Sequence, residues 1–260
     1  MDFRTIRIRD GQFSVLDRDP AQNYTDVTHM FAYLDDLRLR RDAIILDVGA
    51  NIGIFSLSYA WLYDHATIHA FEPHPGTYET LAANVQLNAD LRRRIQPHNV
   101  GFSNRNATAV LSLPSAEQHA RYDSTKNHVN SGLFSTQGAG VDAVLCTFLA
   151  MDSAASDLPR VDFIKIDVEG HEFEVLEGGA GTINRWRPVV TLEYNELTRT
   201  LSRHGASDFD QFFRQRGYLV YGLMYGWRRK LKRLQDLQSV DDISDLVCVP
   251  DDRLEGTTCA

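Results

Sequence analysis

From residue 43 onward, strand patterns and helix patterns alternate along the chain, and this alternation constrains the fold more than any other feature. The buried strand pattern "AIILDV" precedes the helical stretch "IFSLSYAWLYD", and the same order returns at "TIHAFE" and at "VDFIKIDV". Strands that alternate with helices of this length form a mostly parallel sheet with helices on both faces. The sequence therefore predicts an α/β, Rossmann-like doubly wound core with a mostly parallel seven-stranded sheet over residues 43–250.

The residues before this core predict a cap on it. The segment "FRTIRIRDGQFSVLD" alternates apolar and polar residues on both sides of Asp10-Gly11, which predicts a β-hairpin with a tight turn. In "TDVTHMFAYLDDLRL" the apolar residues fall at helical spacing and predict an amphipathic helix. We expect residues 1–41 to cap the core, and residues 1–260 to form a single domain.

One stretch interrupts the alternation of strands and helices. The segments "ATAVLSL" and "AGVDAVLCTF" predict an inserted β-pair, and the polar residues 114–140 lie between its strands. Long loops without secondary structure are uncommon in compact domains and are often functional. Two interpretations stay open: a loop or lid over a bound substrate, with His119, Tyr122, His128 and Asn130 as candidate contacts, or a disordered insertion.

Charge and cysteine content argue against several classes of protein. The net charge of −8 argues against a global electrostatic grip on nucleic acid. The three cysteines, Cys146, Cys248 and Cys259, are odd in number and lack metal-ligand spacing, so we expect reduced thiols. The charged start "MDFRTIRIRD" lacks the apolar core of a signal peptide, and no apolar run reaches the length of a membrane span. These features predict a cytoplasmic protein without a transmembrane segment.

The segment "ILDVGANIG" has an acidic residue and two glycines where the first strand of the alternating series ends. In doubly wound folds, ligands bind at the carboxyl ends of the strands. A phosphate-binding P-loop needs Lys followed by Ser or Thr after the second glycine, but Ile54 and Phe55 follow Gly53. A dinucleotide site needs a glycine where Asn51 stands, and the carboxylate of Asp47 would repel a diphosphate. The motif therefore argues against a cofactor that carries phosphate.

S-adenosylmethionine carries an ammonium and a sulfonium and no phosphate, so it fits this motif. Asp47 is predicted to attract its amino group, directly or through water. Gly49 is predicted to permit close backbone approach, and Gly53 to let the following helix pack on the strand. Glu72 ends the second strand, where a carboxylate can accept both ribose hydroxyls. Two carboxylates at the ends of consecutive strands therefore predict an S-adenosylmethionine site.

Further cofactor contacts are predicted beside these residues. Ala50 and Asn51 lie between the two glycines, and Pro73 begins the loop after the second strand. At the end of the third strand, Phe102 would flank the adenine ring and Ser103 would bond its amino group. The alternative role for Phe102 is core packing.

Two asparagines on the helix after the second strand have a different predicted role. Asn84 and Asn88 lie four residues apart on that helix. We expect them to hold loops in place and not to contact a ligand.

Three segments, "LDVGANIGIFS", "AFEPHPGTYETLAANVQLN" and "VDFIKIDVEGHEFEVLEGGAGTI", resemble the FkbM-type S-adenosylmethionine-dependent methyltransferases. The resemblance covers residues 43–196, and the block "KIDVEGHE" is highly specific to the family. It implies transfer of a methyl group to oxygen, with sugar, polyketide or related small-molecule hydroxyls as acceptors. The chain departs from the family at Thr147–Met151, where "TFLAM" stands in place of a frequent "TLD".

An alcohol is a poor nucleophile at neutral pH, so a base or a metal is expected near the methyl group. On a strand, Lys165, Asp167 and Glu169 would alternate to one face, with Asp167 near the carboxyl end of the strand and Glu169 and His171 on the turn into the next helix. In a first interpretation, His171 is the general base, because its ordinary pKa is about 6.5, and Asp167 or Glu169 orients it. The simpler alternatives are a Lys165–Asp167 ion pair and a helix-capping His171.

In a second interpretation, Asp167, Glu193 and Asn195 bind a divalent cation such as Mg²⁺, which would acidify the acceptor hydroxyl. Oxygen ligands suit this ion, and the strand "VVTLEYNE" would bring Glu193 and Asn195 to the height of Asp167. The simpler alternative is that Glu193 neutralises Lys165. Both interpretations of the chemistry stay open from the sequence.

The expected partner is a small-molecule or glycan acceptor, and nucleic acid is not expected. The basic stretch "WRRKLKR", residues 227–233, is either a solvated face or a contact with an anionic acceptor. An NAD- or nucleotide-dependent enzyme on the same fold, a cofactor-binding module without turnover, and methylation of nitrogen or carboxylate remain alternatives. The sequence leaves open whether the protein is a monomer or a homo-oligomer.

Overall fold

A large mixed sheet forms the centre of the molecule. The computed structural model describes residues 3–16, 25–37, 39–112, 143–224, 231–237 and 243–253. Within these ranges the sheet has eight strands, which are in spatial order β12 (Leu231–Arg233), β11 (Tyr218–Met224), β13 (Ile243–Pro250), β10 (Val189–Glu193), β9 (Phe163–Ile166), β3 (Ile44–Val48), β4 (Thr67–Phe71) and β5 (Ile95–His98).

The direction of the strands confirms the predicted Rossmann-like, mostly parallel fold. β10, β9, β3, β4 and β5 pair in parallel. β13 is antiparallel to both of its neighbours, β10 and β11, and β12 is antiparallel to β11. The described sheet has eight strands where seven were predicted, because the short strand β12 extends one edge.

Helices cover both faces of this sheet. The α-helices of the described residues are α1 (Leu34–Leu37), α2 (Ile54–Leu62), α3 (Pro75–Leu87), α4 (Met151–Ala154), α5 (Glu172–Gly178), α6 (Ala180–Trp186), α7 (Glu196–Leu201) and α8 (Ala206–Arg214). Side chains of α2 and α3 belong to one apolar cluster, and side chains of α5, α6 and α8 belong to a second. Along β3, Ile45 joins the first cluster and Leu46 the second. Burial on both faces explains the nearly continuous apolar strand sequences.

The N-terminal hairpin forms as predicted, with its turn one residue earlier. β1 (Phe3–Ile8) and β2 (Gly11–Leu16) pair in an antiparallel register in which Ile8 lies opposite Gly11. The two-residue loop is therefore Arg9-Asp10, and Arg9 adopts a left-handed backbone conformation with φ of 51°.

The amphipathic helix predicted after the hairpin is wrong in length. The chain forms a 3₁₀-helix, Thr28–Phe31, followed by the one-turn helix α1. Arg7 N donates to Thr25 O and Val27 N donates to Arg7 O, both at 2.9 Å, so the chain first runs beside β1. This pairing delays the helical conformation to Thr28. The apolar positions are still buried, because Val27 and Phe31 join the first apolar cluster.

Two asparagines of α3 hold the hairpin and the first loop of the core. Asn84 Oδ1 accepts a hydrogen bond from Leu16 N at 2.7 Å, and Asn84 Nδ2 donates to Ile52 O at 2.8 Å. Asn88 Oδ1 accepts from Ser14 N at 2.9 Å, and Asn88 Nδ2 donates to Ser14 O at 2.8 Å. The prediction that Asn84 and Asn88 hold loops is confirmed.

The predicted inserted β-pair belongs to a small second sheet. β7 (Ala107–Ser112) and β8 (Ala143–Ala150) are antiparallel as predicted, and β6 (Gly101–Ser103) pairs in parallel with β8. The loop or lid predicted at residues 114–140 lies outside the described residues. Within the described ranges, no helix combines the length and the apolar character needed to cross a bilayer.

Candidate active site

The acid of the glycine-containing loop, Asp47, is fully buried at the end of β3. Its Oδ2 accepts a hydrogen bond from Ser56 Oγ at 2.5 Å, and its Oδ1 lies 3.4 Å from Lys165 Nζ. Lys165 Nζ also lies 3.2 Å from Asp167 Oδ2 and 3.5 Å from Gly49 O. Asp47 is enclosed and already paired. Of the two predicted contacts with a cofactor's amino group, direct or through water, this arrangement favours the contact through water.

Lys165 is a buried cation between two carboxylates. Burial alone would lower the pKa of its ammonium, but Asp167 and Asp47 outweigh the burial and raise the pKa above its ordinary value. The Nζ atom also lies 4.5 Å from the centroid of the Phe55 ring. Lys165 therefore stays charged at neutral pH, where it neutralises its neighbours and is unsuited to remove a proton.

The two glycines of the loop are required by packing within the protein. Gly49 has φ of +76°, and a Cβ atom there would lie 1.8 Å from the carbonyl oxygen of Asp167. The absence of a side chain at Gly49 therefore lets the backbone that follows β9 approach closely, and the predicted close approach to a cofactor stays a prediction. Gly53 has φ of +91°, and a Cβ atom there would lie 2.6 Å from Leu81 Cδ1. Leu81 belongs to α3, whereas the sequence predicted packing of α2 on its strand.

The second acid of the predicted cofactor crevice, Glu72, is buried directly after β4. Its Oε2 accepts a hydrogen bond from Asn51 N at 3.0 Å, and its Oε1 accepts one from His74 N at 2.9 Å. Burial raises the pKa of Glu72 to about 7, while these N–H groups and Lys165 act in the opposite direction. A carboxylate offers about four acceptor positions, so Glu72 retains capacity for hydroxyl donors.

The neighbouring loop residues have backbone roles. Asn51 adopts a left-handed φ of 50°. The N–H of Ala50, which is buried, donates to Phe71 O at 2.9 Å. Pro73 O accepts from Asn99 Nδ2 at 3.1 Å. These contacts join the two loops that would enclose a cofactor.

The predicted contacts to adenine lie in β6. Phe102 is 1% exposed, and its ring centroid lies 4.4 Å from that of Phe71. The structure corrects the predicted stacking of adenine on Phe102, because this ring is enclosed in the second apolar cluster. Ser103 is buried, and its Oγ lies 2.9 Å from His171 Nε2.

His171 lies against β6, at the N-cap position of α5. In addition to the Ser103 contact, its Nδ1 lies 3.5 Å from Glu174 Oε2. The carboxylate beside the ring is thus Glu174, which corrects the predicted orientation by Asp167 or Glu169. Burial lowers the pKa of His171, and Glu174 acts in the opposite direction.

Three carboxylates meet beyond Lys165 at the carboxyl edge of the sheet. Oxygen atoms of Asp167, Glu169 and Glu193, here called the carboxylate cluster, all lie within 4.8 Å of one another. The Oε2 atoms of Glu169 and Glu193 are buried and have no hydrogen-bond partner among the described residues. Burial, followed by the charges of neighbouring carboxylates, raises the pKa of Glu169 to about 8 and raises that of Glu193 well above its ordinary value.

Asn195 does not join the carboxylate cluster through its oxygen. Its Oδ1 accepts a hydrogen bond from Thr198 N at 2.9 Å and caps α7, while its Nδ2 donates to Glu193 Oε1 at 2.6 Å. The predicted set of metal ligands is corrected by this arrangement. Glu169 takes the position that was expected for Asn195.

The loop after β9 holds Glu169 at the edge of the sheet. Glu169 has φ of 56° and Gly170 has φ of 97°, so the strand alternation ends before Glu169, which lies on the turn into the next helix as predicted. Oε1 of Glu172 accepts hydrogen bonds from Val168 N and Gly170 N, both at 3.1 Å. This role of Glu172 was not predicted from the sequence. Its signal was an acidic residue in the first turn of a helix, where carboxylates cap exposed N–H groups.

A small cavity lies between the N-terminal cap and the sheet edge. Its lining includes Met30 from the cap and Lys165, Asp167 and Asp245 from the sheet side. Asp245, in β13, lies opposite Glu193 in the strand register. The cap and β13 therefore contribute to the candidate site, and the sequence analysis assigned neither of them a role there.

Predicted acceptor contacts fall mainly outside the described residues. Residues 114–140, which contain the four candidate side chains, lie outside the described residues. Residues 227–230 of the basic stretch also lie outside them. In the described part of that stretch, Lys232 and Arg233 are exposed in β12.

Residues 47–220 match the family model of the methyltransferase FkbM domain. This range contains Asp47, Glu72 and the whole carboxylate cluster. Apart from Leu46, it also contains the three segments that resemble this family.

The chain is similar to curated methyltransferases over part of their length. Methyltransferase 1 of Beauveria bassiana is 33% identical over 150 residues, which are 53% of this chain and 58% of that protein. The 2-O-methyltransferase NoeI of Sinorhizobium fredii is 27% identical over 162 residues, 60% of this chain and 64% of that protein. The chain thus spans about three fifths of the length of these relatives.

A solved structure supports the assignment of the fold. Methyltransferase FkbM from Methylobacillus flagellatus KT superposes with a TM-score of 0.54 at 16% identity. The superposition covers 85% of this chain and 47% of that chain. At this identity the likeness shows a shared fold.

Proposed function

Because this chain belongs to the methyltransferase FkbM family, we propose that it transfers a methyl group from S-adenosylmethionine to a hydroxyl oxygen of a sugar or another small molecule. The observation that carries the proposal is the pair of buried carboxylates, Asp47 and Glu72, at the ends of adjacent strands. Glu72 retains acceptor positions for ribose hydroxyls, and this edge lacks both the P-loop lysine and the dinucleotide-site glycine that hold phosphates. The proposal keeps the predicted cytoplasmic location, which the buried free thiols of Cys146 and Cys248 support.

In the proposed reaction, a bond forms between the acceptor oxygen and the methyl carbon while the bond between that carbon and sulfur breaks. The sulfur keeps the electron pair of the broken bond, so the other product is neutral S-adenosylhomocysteine. The hydroxyl proton leaves to a base or to water. The protein therefore has to align the hydroxyl, exclude competing water and remove that proton.

The negative charge at the sheet edge restricts the kinds of acceptor group that can be methylated there. Asp167, Glu169, Glu193 and Asp245 lie near one another, and Lys165 is already paired with Asp167 and Asp47. An anionic group of the acceptor would be repelled there, so we assign a neutral hydroxyl to the reacting position. The name of the relative NoeI, a 2-O-methyltransferase, supports oxygen as the acceptor atom.

The cofactor assignment is tested by calorimetry with S-adenosylmethionine and S-adenosylhomocysteine. A Glu72→Ala variant should lose about 10- to 100-fold in affinity, because hydrogen bonds between the ribose hydroxyls and a charged acceptor disappear. Asp90→Asn is the control, since Asp90 is an exposed acid between α3 and β5, away from the carboxyl end of β4, and the affinity of this variant should not change.

Three outcomes would contradict the proposal. Tight binding of NAD without binding of S-adenosylmethionine would support a nicotinamide enzyme. Cofactor binding without methyl transfer, in a mass-spectrometric screen of sugar and small-molecule hydroxyls with methyl-labelled cofactor, would support a binding module. A product methylated on nitrogen or carboxylate would keep the cofactor but change the acceptor class.

The role predicted for His171 has its own test. If His171 removes the proton, His171→Ala should lower turnover by about 10²-fold or more, while cofactor affinity stays unchanged. His65→Ala provides the control, because this histidine side chain is largely exposed. Full turnover in the His171→Ala variant would exclude His171 as the base and leave it as a partner of Ser103.

A further inference from the structure

The carboxylate cluster has the geometry of a site for a hard cation. Oxygen atoms of Asp167, Glu169 and Glu193 lie within 4.8 Å of one another. Oxygens that share one Mg²⁺, Mn²⁺ or Ca²⁺ ion at about 2.0–2.6 Å lie no more than about 5 Å apart. The three oxygens are therefore close enough to bind one ion without a change of fold.

Two of these carboxylates have unused acceptor atoms inside the protein. Oε2 of Glu169 and Oε2 of Glu193 are buried, and neither accepts a hydrogen bond from the described residues. A buried polar oxygen without a hydrogen-bond partner is unfavourable, and more so when it is ionised, so such atoms are rare unless they bind something. These orphaned oxygens are an observation separate from the grouping of acids, and they point to a ligand with positive charge.

The charge balance at this edge points the same way. Asp245 adds a fourth carboxylate, opposite Glu193 in the strand register. Lys165, the buried cation nearby, lies between Asp47 and Asp167. Once its carboxyls are ionised, the cluster therefore has more negative than positive charge around it, and one divalent cation would balance the difference.

The supporting contacts hold two of the carboxylates in fixed positions. Glu172 accepts hydrogen bonds from Val168 N and Gly170 N, on either side of Glu169, whose φ is 56°. Asn195 Nδ2 donates to Glu193 Oε1 at 2.6 Å and leaves Oε2 of the same carboxylate unbonded. Hydrogen bonds that orient ligands in this way are a regular part of metal sites.

We propose that Asp167, Glu169 and Glu193 bind a divalent cation of the Mg²⁺ or Mn²⁺ class, with one oxygen from each carboxylate. Asn195 acts as a positioning residue for Glu193. The binding site stands on the described geometry alone, but its role, to lower the pKa of the acceptor hydroxyl beside the methyl group, rests on the proposed function.

The first experiment titrates Mn²⁺ into the full chain without cofactor and follows the electron paramagnetic resonance signal of the free ion. One ion should bind per chain, and Mg²⁺ should compete for it. Glu169→Gln and Glu193→Gln keep the side-chain shape and remove a charge, so each should weaken binding by about tenfold or more. Asp90→Asn, which removes an exposed acid, should bind as the wild type does.

Clear outcomes would overturn the proposal. About 1 mM Mn²⁺ is well above the dissociation constant expected of such a site. If the wild-type chain leaves the free-ion signal unchanged at this concentration, the site does not exist. Unchanged binding in both glutamine variants would place the ion elsewhere. Calorimetry with S-adenosylmethionine on the same samples tests the cofactor assignment separately, so its failure would be recognised independently of the metal result.

A second measurement uses the wild-type chain and does not depend on the folding of a variant. Mn²⁺ should broaden the resonance of the ¹³C-labelled methyl group of bound S-adenosylmethionine, and Mg²⁺ should reverse the effect. A methyl resonance that stays sharp in the presence of bound Mn²⁺ would show that the ion lies far from the methyl group, and would overturn the proposed role. In the alternative case, the sulfonium of the cofactor alone balances the negative charge of the cluster. Mn²⁺ would then bind neither in the absence nor in the presence of the cofactor, which would contradict the proposal.

Discussion

Glu72 is a carboxylate under opposing influences. Burial disfavours its charge, while the N–H groups of Asn51 and His74 favour it, and the net effect raises its pKa to about 7. An ordinary glutamate in the unfolded chain has a pKa of 4.5. The folded protein therefore holds a proton on Glu72 that the unfolded chain releases as the pH rises above 4.5.

This difference predicts a pH-dependent loss of stability in the protein without cofactor. An acid whose folded-state pKa is raised stabilises the fold fully below its unfolded pKa and loses that contribution as the pH rises through the folded pKa. From pH 4.5 to pH 7 and just above, the wild type should lose up to about 3 kcal/mol relative to Glu72→Gln. Urea unfolding of both proteins across this range measures the difference, in which the other titrating groups cancel. Parallel pH profiles would contradict the prediction.

Single residues differ in how far the sequence predicts their role. Asp47 and Glu72 were predicted because a strand end in an alternating α/β pattern defines one edge of the sheet. Their partners were not predicted, since Ser56 Oγ reaches Asp47 from a helix and Asn51 N reaches Glu72 from a loop. Such contacts depend on how elements pack, which a strand pattern does not contain.

The carboxylate cluster shows the same limit of prediction from the sequence. Asp167, Glu169 and Glu193 were all identified as candidates, and Glu169 was expected on the turn into the next helix, but its left-handed backbone was not predicted. Its φ of 56° follows from the turn around Gly170, and the oxygen of Asn195 is used by the N–H of Thr198. The residues could be chosen from the sequence, whereas their grouping required the turn and the helix cap.

Among elements, the N-terminal hairpin depends on α3 for its position. Asn84 bonds Leu16 N of the hairpin and Ile52 O of the glycine-containing loop with the two ends of one side chain. Asn84 is fully buried, so water cannot replace these partners without a change in packing. One amide thus connects the cap with the loop that would hold the cofactor.

Replacement of this amide should weaken both elements at once. Asn84→Ala leaves a buried N–H and a buried carbonyl unpaired, which should lower the free energy of unfolding by about 2–4 kcal/mol, measured by urea denaturation. Cofactor affinity should also fall, because Ile52 lies inside the loop. Gln86→Ala is the control on the exposed face of the same helix and should change stability by less than about 0.5 kcal/mol. An Asn84→Ala variant as stable as this control would contradict the proposed connection.

The cap also shows why element boundaries were less predictable than element types. The hairpin was predicted from its alternation, but its turn lies at Arg9-Asp10 because Gly11 already pairs with Ile8. The helix that follows was predicted from spacing alone. Its first turn is lost because residues 25–27 pair with β1, a contact between segments that the local pattern cannot indicate.

For the whole molecule, the alternation of strands and helices was sufficient to predict the fold class. It did not predict that β13 lies between β10 and β11, since the order of strands in space depends on contacts that are distant in sequence. Nor did it predict that β6 leaves the main sheet to pair with β8. The local pattern of apolar and polar residues determines whether a segment forms a strand or a helix. Packing between segments distant in sequence determines which of them become neighbours.

The position of β13 has a consequence for synthesis on the ribosome. β10, which ends in Glu193, has an unpaired edge until the strand Ile243–Pro250 has left the exit tunnel, because that strand fills the gap beside it. Until then, the nascent chain exposes hydrogen-bonding groups of a central apolar strand and is open to wrong pairing. The chain can thus complete the sheet beside Glu193 only after residue 250 has been synthesised, and ribosome pausing before residue 243 should favour aggregation.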